Sequence, residues 1–225
     1  MPLHPSKLHL YTTVLSGSSA RIRIAANLKH IPLIYHELNL RANEHQAEQY
    51  LKINSNGSVP TLVAEYPNEQ TITITQSLPI LEYFEDIYTS GVRLLPPVTD
   101  MRARVKVREL AALVACDIQP LQNLRIRHQV RAVRGDPIRY AFDVITRGLS
   151  AYEKIAKHSA GAYSVGDEVS LADVCLVPLV EGGSRVGVEV GQWEVVNRIA
   201  KQCEKLEAFR KGGLRLKHTG AENTH

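Results

Sequence analysis

Hydrophobic and polar positions change their period repeatedly over the first part of the chain. An apolar run at Leu8–Tyr11 reads as a strand, and Ile22, Ala25, Ala26 and Lys29 recur at helical spacing. The same reading predicts strands at Leu33–Leu38, Thr61–Ala64 and Thr71–Thr75 and helices at Ser18–Lys29 and Ser77–Tyr88, with a short helical stretch at Glu44–Lys52. A βαβ unit followed by a β-hairpin and a helix makes a small sandwich of sheet and helices. After the turn-rich Leu94–Asp100 the pattern becomes all helical. Leu110, Leu113 and Val114 repeat at helical spacing, as do Ala141, Ile145, Leu149, Tyr152 and Ile155. Asp136 and Pro137 suit the N-cap and first position of a helix, and Ser170–Asp173 forms a capping-box start before an apolar run. The expected organisation is therefore a mixed domain over residues 1–90, a linker at 91–99 and an all-helical domain over 100–225. The stretch after Gly212 reads as polar and loosely held.

Three stretches carry candidate chemistry. Ser16, Gly17, Ser18 and Ser19 stand between the first strand and the first helix. Their hydroxyls can cap free N–H groups, and the same N–H groups with the helix dipole form a site for negative charge. In SVPTL, Ser58–Leu62, a proline directly precedes a strand, and a cis Val59–Pro60 bond would leave the Val59 backbone free to pair with a ligand peptide. In TQSLPILEYFED, Thr75–Asp86, Gln76 ends a strand and Ser77 opens a helix, a second helix N-terminus suited to a carboxylate.

Composition narrows the class. The 225 residues, 44% hydrophobic and 22% charged, are those of an ordinary globular protein. No apolar run reaches membrane-spanning length and MPLHPSK lacks the apolar stretch of a secretory signal, so a cytoplasmic address and no membrane partner are expected. Cys116, Cys175 and Cys203 are odd in number and far apart, which offers neither a disulfide framework nor a CxxC metal or redox motif; no metal site is expected. The net charge of +4 is uneven: residues 101–139 hold nine Lys/Arg (Arg102, Arg104, Lys106, Arg108, Arg125, Arg127, Arg131, Arg134, Arg139) against Glu109, Asp117 and Asp136. That segment reads as a solvated helical face or as a field drawing in small anions. It contains no aromatic residue on which a base could stack, and no nucleic-acid partner is expected.

Taken together, SGSSARIRIA, SVPTL, TQSLPILEYFED, DIQPLQNLRI and YSVGDEVSLADVCLVP resemble the zeta class of glutathione transferases, over residues from about 8 to about 210. The resemblance implies an α+β architecture with a thioredoxin-like N-terminal domain (βαβ then ββα) followed by an all-α C-terminal domain, and usually a homodimer. It implies glutathione as cofactor and a small anionic electrophile as substrate. By motif match Ser16 would hydrogen-bond the glutathione sulfur, with Ser18 sharing the catalytic role and Gly17, Ser19 and Arg21 close by. Val59 would pair with the cysteinyl backbone, Gln76 and Ser77 would hold the γ-glutamyl end, and His45, with Gln46 as the alternative, the glycyl end. Gln119, Asn123, Leu124 and Arg125 match the helical stretch lining the glutathione site, and Arg185 falls where the family has an arginine near substrate carboxylates. The family commonly has a cysteine at the place of Ser18 and a tryptophan at that of Ala20, so this chain keeps a hydroxyl but loses a thiol and a ring.

The activity so implied is glutathione-dependent isomerisation of maleylacetoacetate to fumarylacetoacetate, a step of tyrosine and phenylalanine catabolism, by thiolate addition, rotation and elimination. Two other readings stay open. One is conjugation of glutathione to small electrophiles such as α-halo acids, which would use the same thiolate. The other is a non-catalytic interaction module.

Overall fold

The computed structural model describes residues 4–67 and 70–214. Strands β1 (Lys7–Thr12), β2 (Ile34–Glu37), β3 (Thr61–Glu65) and β4 (Thr71–Thr75) form one mixed sheet in the order β2-β1-β3-β4. Strands β1 and β2 are parallel because helix α1 (Gly17–Leu28) carries the chain back between them, while β1/β3 and β3/β4 are antiparallel. Leu8 pairs with Ala64 and Leu10 with Leu62, a register that sets four apolar side chains on one face. Ile22 of α1 and Ile80, Leu81 and Phe84 of α3 (Ser77–Ile87) join them in the core.

The expected helix over 44–52 is broken. Turns of 3₁₀-helix at Leu40–Ala42 and Glu44–Gln46 precede a single turn of α2 (Glu48–Leu51). Asn43 is left-handed at φ 58 and Ala47 is extended at ψ 142, and each interrupts helical propagation.

The second half is helical: α4 (Met101–Ala112), α5 (Leu124–Ala132), α6 (Pro137–Ala156), α7 (Leu171–Ser184), α8 (Glu194–Glu204) and α9 (Glu207–Gly212). Helix α7 is buried from Leu171 to Leu179, mostly by apolar side chains, and packs on α1 and α4. Its start is a polar knot. The Asp173 carboxylate accepts the N–H and hydroxyl of Ser170 (both 2.8 Å) and the N–H (2.8 Å) and hydroxyl (2.6 Å) of Ser164. Burial pushes the Asp173 carboxyl above its ordinary range against the pull of those four donors.

Between the halves, the buried Lys29 ammonium donates to Glu85 (2.8 Å) and to the Val92 carbonyl (2.9 Å). Glu85 also pairs with Arg93 (3.1 Å) and accepts the N–H groups of Leu94 and Leu95, so this one carboxylate pins the connecting segment to α1 and α3. Past α4 the chain makes a π-turn, Leu113–Ile118, which helical periodicity did not anticipate.

The end of the described chain corrects one expectation. Gly213 and Leu214 are buried and hydrogen-bonded, not loosely held; the remainder of the polar tail, 215–225, lies outside the described residues.

Candidate active site

Ser16 is the N-cap of α1, with extended backbone (φ −83, ψ 116) and Oγ accepting the Ser19 N–H at 3.2 Å. Its own N–H donates to the Thr13 carbonyl at 3.2 Å, closing the turn between β1 and the helix. Capping and thiol recognition do not compete here. The cap uses a lone pair of Oγ, and the hydroxyl hydrogen remains available to donate. The N–H groups of Gly17 and Ser18, in the first helical turn, have no intrahelical partner and point the same positive helix end outward.

The neighbouring residues divide by burial. Ser18 is half-buried with a hydroxyl that bonds to nothing among the described residues. Ser19 is fully buried and its Oγ has no partner, so it serves the turn through its N–H. Ala20 is also fully buried.

Beneath this turn lies Arg21, only 1% exposed. Its Nη1 donates to Ser77 Oγ (2.9 Å) and its Nη2 to Gln119 Oε1 (3.4 Å), while Nε has no partner among the described residues. Both partners are neutral. A buried guanidinium without a carboxylate is costly by several kcal/mol, about what makes an incoming anion welcome. Gln119 reaches Arg21 because the π-turn ends with its N–H on the Val114 carbonyl, five residues back, at 2.9 Å. A Cβ at Gly17 would stand 3.3 Å from Gln119 Nε2, close enough that the amide would have to shift by a few tenths of an ångström.

Ser77, buried, opens α3, and exposed Gln76 before it sits at φ 76 and ψ 138. That left-handed backbone costs a non-glycine residue about 1–3 kcal/mol, strain of the kind found at ligand clamps. Val59–Pro60 is cis, and the sheet ladder begins at Thr61, which leaves Val59 outside it. The carbonyl of Ser58 is held by Tyr50 Oη (2.5 Å) and Asn54 Nδ2 (2.8 Å), and both groups also reach Thr61 Oγ1. These two buttresses were not singled out from the sequence; the turn-forming Asn54-Ser55-Asn56-Gly57 run was the available signal.

His45 is half-buried with Nδ1 unpartnered, and burial followed by the Arg125 charge lowers its pKa below the ordinary 6.5. Gln46 donates instead to the Gly57 carbonyl (3.1 Å). Arg125, from the helical half, donates to the Asn56 carbonyl (3.3 Å), bringing α5 against the loop before Val59. Asn123 Oδ1 caps α5 through the Ile126 N–H (3.1 Å), and Leu124 stands exposed beside it.

Hydrogen bonds join Arg21, Ser77 and Gln119, with Gly17 beside Gln119 and Ser16 bonded to Ser19 in the same turn; separately, Arg125 bonds to Asn56 and acts on His45 through its charge. Arg185 caps the C-terminus of α7, exposed, and no hydrogen bond or ion pair ties it to either group. Two surface depressions, one lined by Arg198, Lys201 and Lys205 and one by Arg23, Tyr35 and Lys211, contain none of these residues.

The family model for the glutathione S-transferase N-terminal domain matches residues 15–87. The chain is 42% identical over 210 residues to the maleylacetoacetate isomerase of Aspergillus fumigatus, covering 93% of this chain and 91% of that one. Among solved structures it is similar to the maleylacetoacetate isomerase of Methylobacterium extorquens AM1 with bound malonate and glutathione (TM-score 0.85, 32% identity, 96% of this chain and 100% of that one). A bacterial maleylpyruvate isomerase described as a zeta-class glutathione S-transferase superposes with TM-score 0.84 and 33% identity, over 95% of this chain and 100% of its own.

Proposed function

Because this chain belongs to the glutathione transferase family, and within it to the zeta class, we propose that it binds glutathione and isomerises maleylacetoacetate to fumarylacetoacetate. The observation that carries the reading is the Ser16 hydroxyl at the N-terminus of α1, set over a buried guanidinium, Arg21, that has no carboxylate partner among the described residues. The fit is chemical: an orphaned Arg21 Nε, an unpartnered His45 Nδ1 and a Val59 backbone outside the ladder are what an anionic peptide can satisfy.

Glutathione, when bound, would supply a thiolate able to add to one carbon of the cis double bond, the displaced π pair passing to the conjugated carbonyl, so that the substrate could turn about the resulting single bond before the pair returned and the thiolate left unchanged. The protein's residues supply the rest. Ser16 donates its O–H to the sulfur and, with the α1 N-terminus and Ser18, favours the deprotonated form. Ser77 and Gln76, backed by Arg21, hold the γ-glutamyl carboxylate; Val59 pairs with the peptide backbone; His45 takes the glycyl end beside Arg125. Residues 1–90 thus act as the glutathione-binding domain and 100–225 as the substrate domain. Arg185 and the basic stretch over 101–139 draw in and orient the substrate carboxylates. A cytoplasmic homodimer completes the reading. A reducing compartment suits the three thiols, none of them in a disulfide, and Val98, Met101 and Val105 stand exposed as apolar surface for a second copy.

The test follows cis-to-trans conversion of maleylacetoacetate, or of its analogue maleylacetone, by absorbance with and without catalytic glutathione. Conversion that requires glutathione and consumes none supports the isomerase. No conversion by protein that demonstrably binds glutathione points to conjugation, with α-halo acids the next substrates.

His45 gives a pH test of the binding half. Its pKa is lowered in the free protein, and a carboxylate arriving beside it favours the imidazolium and raises that pKa. Binding therefore takes up a proton. Glutathione affinity should be highest below the free-state pKa and fall, by about tenfold for a one-unit change, as pH rises through the bound-state value. Calorimetry from about pH 5 to about pH 7.5 should show this step and its loss in His45→Gln. A flat profile in the unsubstituted protein removes His45 from the glycyl contact.

A further inference from the structure

We propose that Arg23 and the Gly212–Gly213 segment form a latch that positions Ser16, so that docking of the C-terminal segment sets the reactivity of the bound thiol. This rests on the assignment of Ser16 to the glutathione sulfur. Arg23 lies in α1 with 6% exposure, two residues beyond Arg21 and serving a different set of partners.

A guanidinium has five N–H donors, and all of Arg23's are engaged. Nε donates to the Gly212 carbonyl (3.0 Å) and Nη2 to the Gly213 carbonyl (3.2 Å). The others go to the residues that lead into the Ser16 turn: Thr12 Oγ1 (3.0 Å), the Thr13 carbonyl (3.2 Å) and the Val14 carbonyl (3.0 Å). The Thr13 carbonyl is the shared atom, because it also accepts the Ser16 N–H at 3.2 Å. One oxygen therefore connects the guanidinium to the backbone of the residue that caps α1.

The segment on the other side is shaped to dock. A Cβ at Gly212 would lie 2.5 Å from the Ile24 nitrogen and 2.8 Å from the Arg23 carbonyl carbon, so any side chain lifts the segment off α1. Glu181 of α7 accepts the Leu214 N–H at 2.8 Å, and the Arg23 charge acts on that carboxylate. A clamp meant only to hold the C-terminal segment would need two of the five donors. Three are spent on the turn, where a displacement of about 1 Å can cost about a hundredfold in rate.

Arg23→Lys keeps the charge but cannot span five acceptors, and Gly212→Ala displaces the segment while leaving the arginine. Each variant is measured for the thiol pKa of bound glutathione by ultraviolet thiolate absorbance, for glutathione affinity, and for hydrogen exchange of the Ser16 amide without glutathione. Both should raise the thiol pKa by about half a unit or more, lower kcat about tenfold, speed Ser16 exchange about tenfold and leave affinity within about threefold. In a Ser16→Ala background Arg23→Lys should add no further pKa shift, because the two act through one group. Lowered melting temperature with unchanged thiol pKa and unchanged exchange overturns the latch. If Arg23→Lys fails to fold, Gly212→Ala decides alone by the same readings. A Ser16→Ala protein with an unshifted thiol pKa overturns the assignment of Ser16 instead, and exchange at Ser16 still reports whether the latch holds the turn.

Discussion

In Ser16→Ala the thiol pKa of bound glutathione should rise by one unit or more and kcat fall about ten- to a hundredfold, with glutathione affinity nearly unchanged. A free thiol of pKa about 8.5 is only about 3% ionised at pH 7, and lowering that pKa by about two units takes roughly 2.7 kcal/mol of preference for the thiolate. One charge-assisted hydrogen bond supplies about 1.5–3 kcal/mol and a helix N-terminus about 0.3–1. Ser16 is thus the larger of the two contributions, and the α1 N-terminus survives its removal in weakened form because Ser16 Oγ also caps the Ser19 N–H. The rate should be recorded against pH together with the thiolate absorbance of the binary complex. An unchanged pH-rate profile removes Ser16 from the mechanism and passes the role to Ser18, whose hydroxyl is unengaged among the described residues.

The largest stability effect is expected at Asp173. Asp173→Ala withdraws the acceptor from two N–H and two O–H groups at the start of the buried helix α7, in a site that offers water no access. Stranded donors in such a site cost about 3–5 kcal/mol in total, a fall of about 10 °C in melting temperature for a chain of this size. Asp173→Asn keeps one acceptor oxygen and should lose about half as much. The knot continues beyond the cap: Ser164 spends its hydroxyl hydrogen on Asp173, so the buried Tyr152 hydroxyl donates to Ser164 at 2.7 Å. Thermal unfolding followed by circular dichroism checks the order. An Asp173→Ala protein that melts within a degree or two of the unsubstituted one would mean the four donors find other acceptors.

The candidate site was readable in the sequence to the extent that its features are local. Ser16 as a cap, Ser77 as a helix start and the cis Val59–Pro60 turn each depend on residues within a few positions, and the periodicities on either side locate them. Assigning roles to Gln119, Asn123, Arg125 and Arg185 needed the family likeness, because nothing in the local pattern distinguishes these polar and basic residues from ordinary surface ones. Tyr50 and Asn54 escaped both routes: their bonds to the Ser58 carbonyl span only eight and four residues, but it is the way the chain turns through 54–58 that aims both side chains at that one oxygen and at Thr61 of β3.

By itself the sequence determined the four strands and the two long helices of the first ninety residues, the change from mixed to all-helical structure near residues 88–100, and the hydroxyl-rich start of α1. Hydrophobic period, capping side chains and turn residues act over one or two turns of chain, so no distant partner is needed to specify them. Only the tertiary structure decided that Arg21 is buried against Ser77 and Gln119, partners 56 and 98 residues away, and that Arg23 holds Gly212, 189 residues away. Both arginines belong to the same basic helical run and nothing local separates them from solvent-facing ones. Their burial follows from α7 and α9 closing over α1, and from a π-turn that swings Gln119 onto Gly17. A charge can be held in such a place only where several chain segments, brought together by packing, present their oxygens at once.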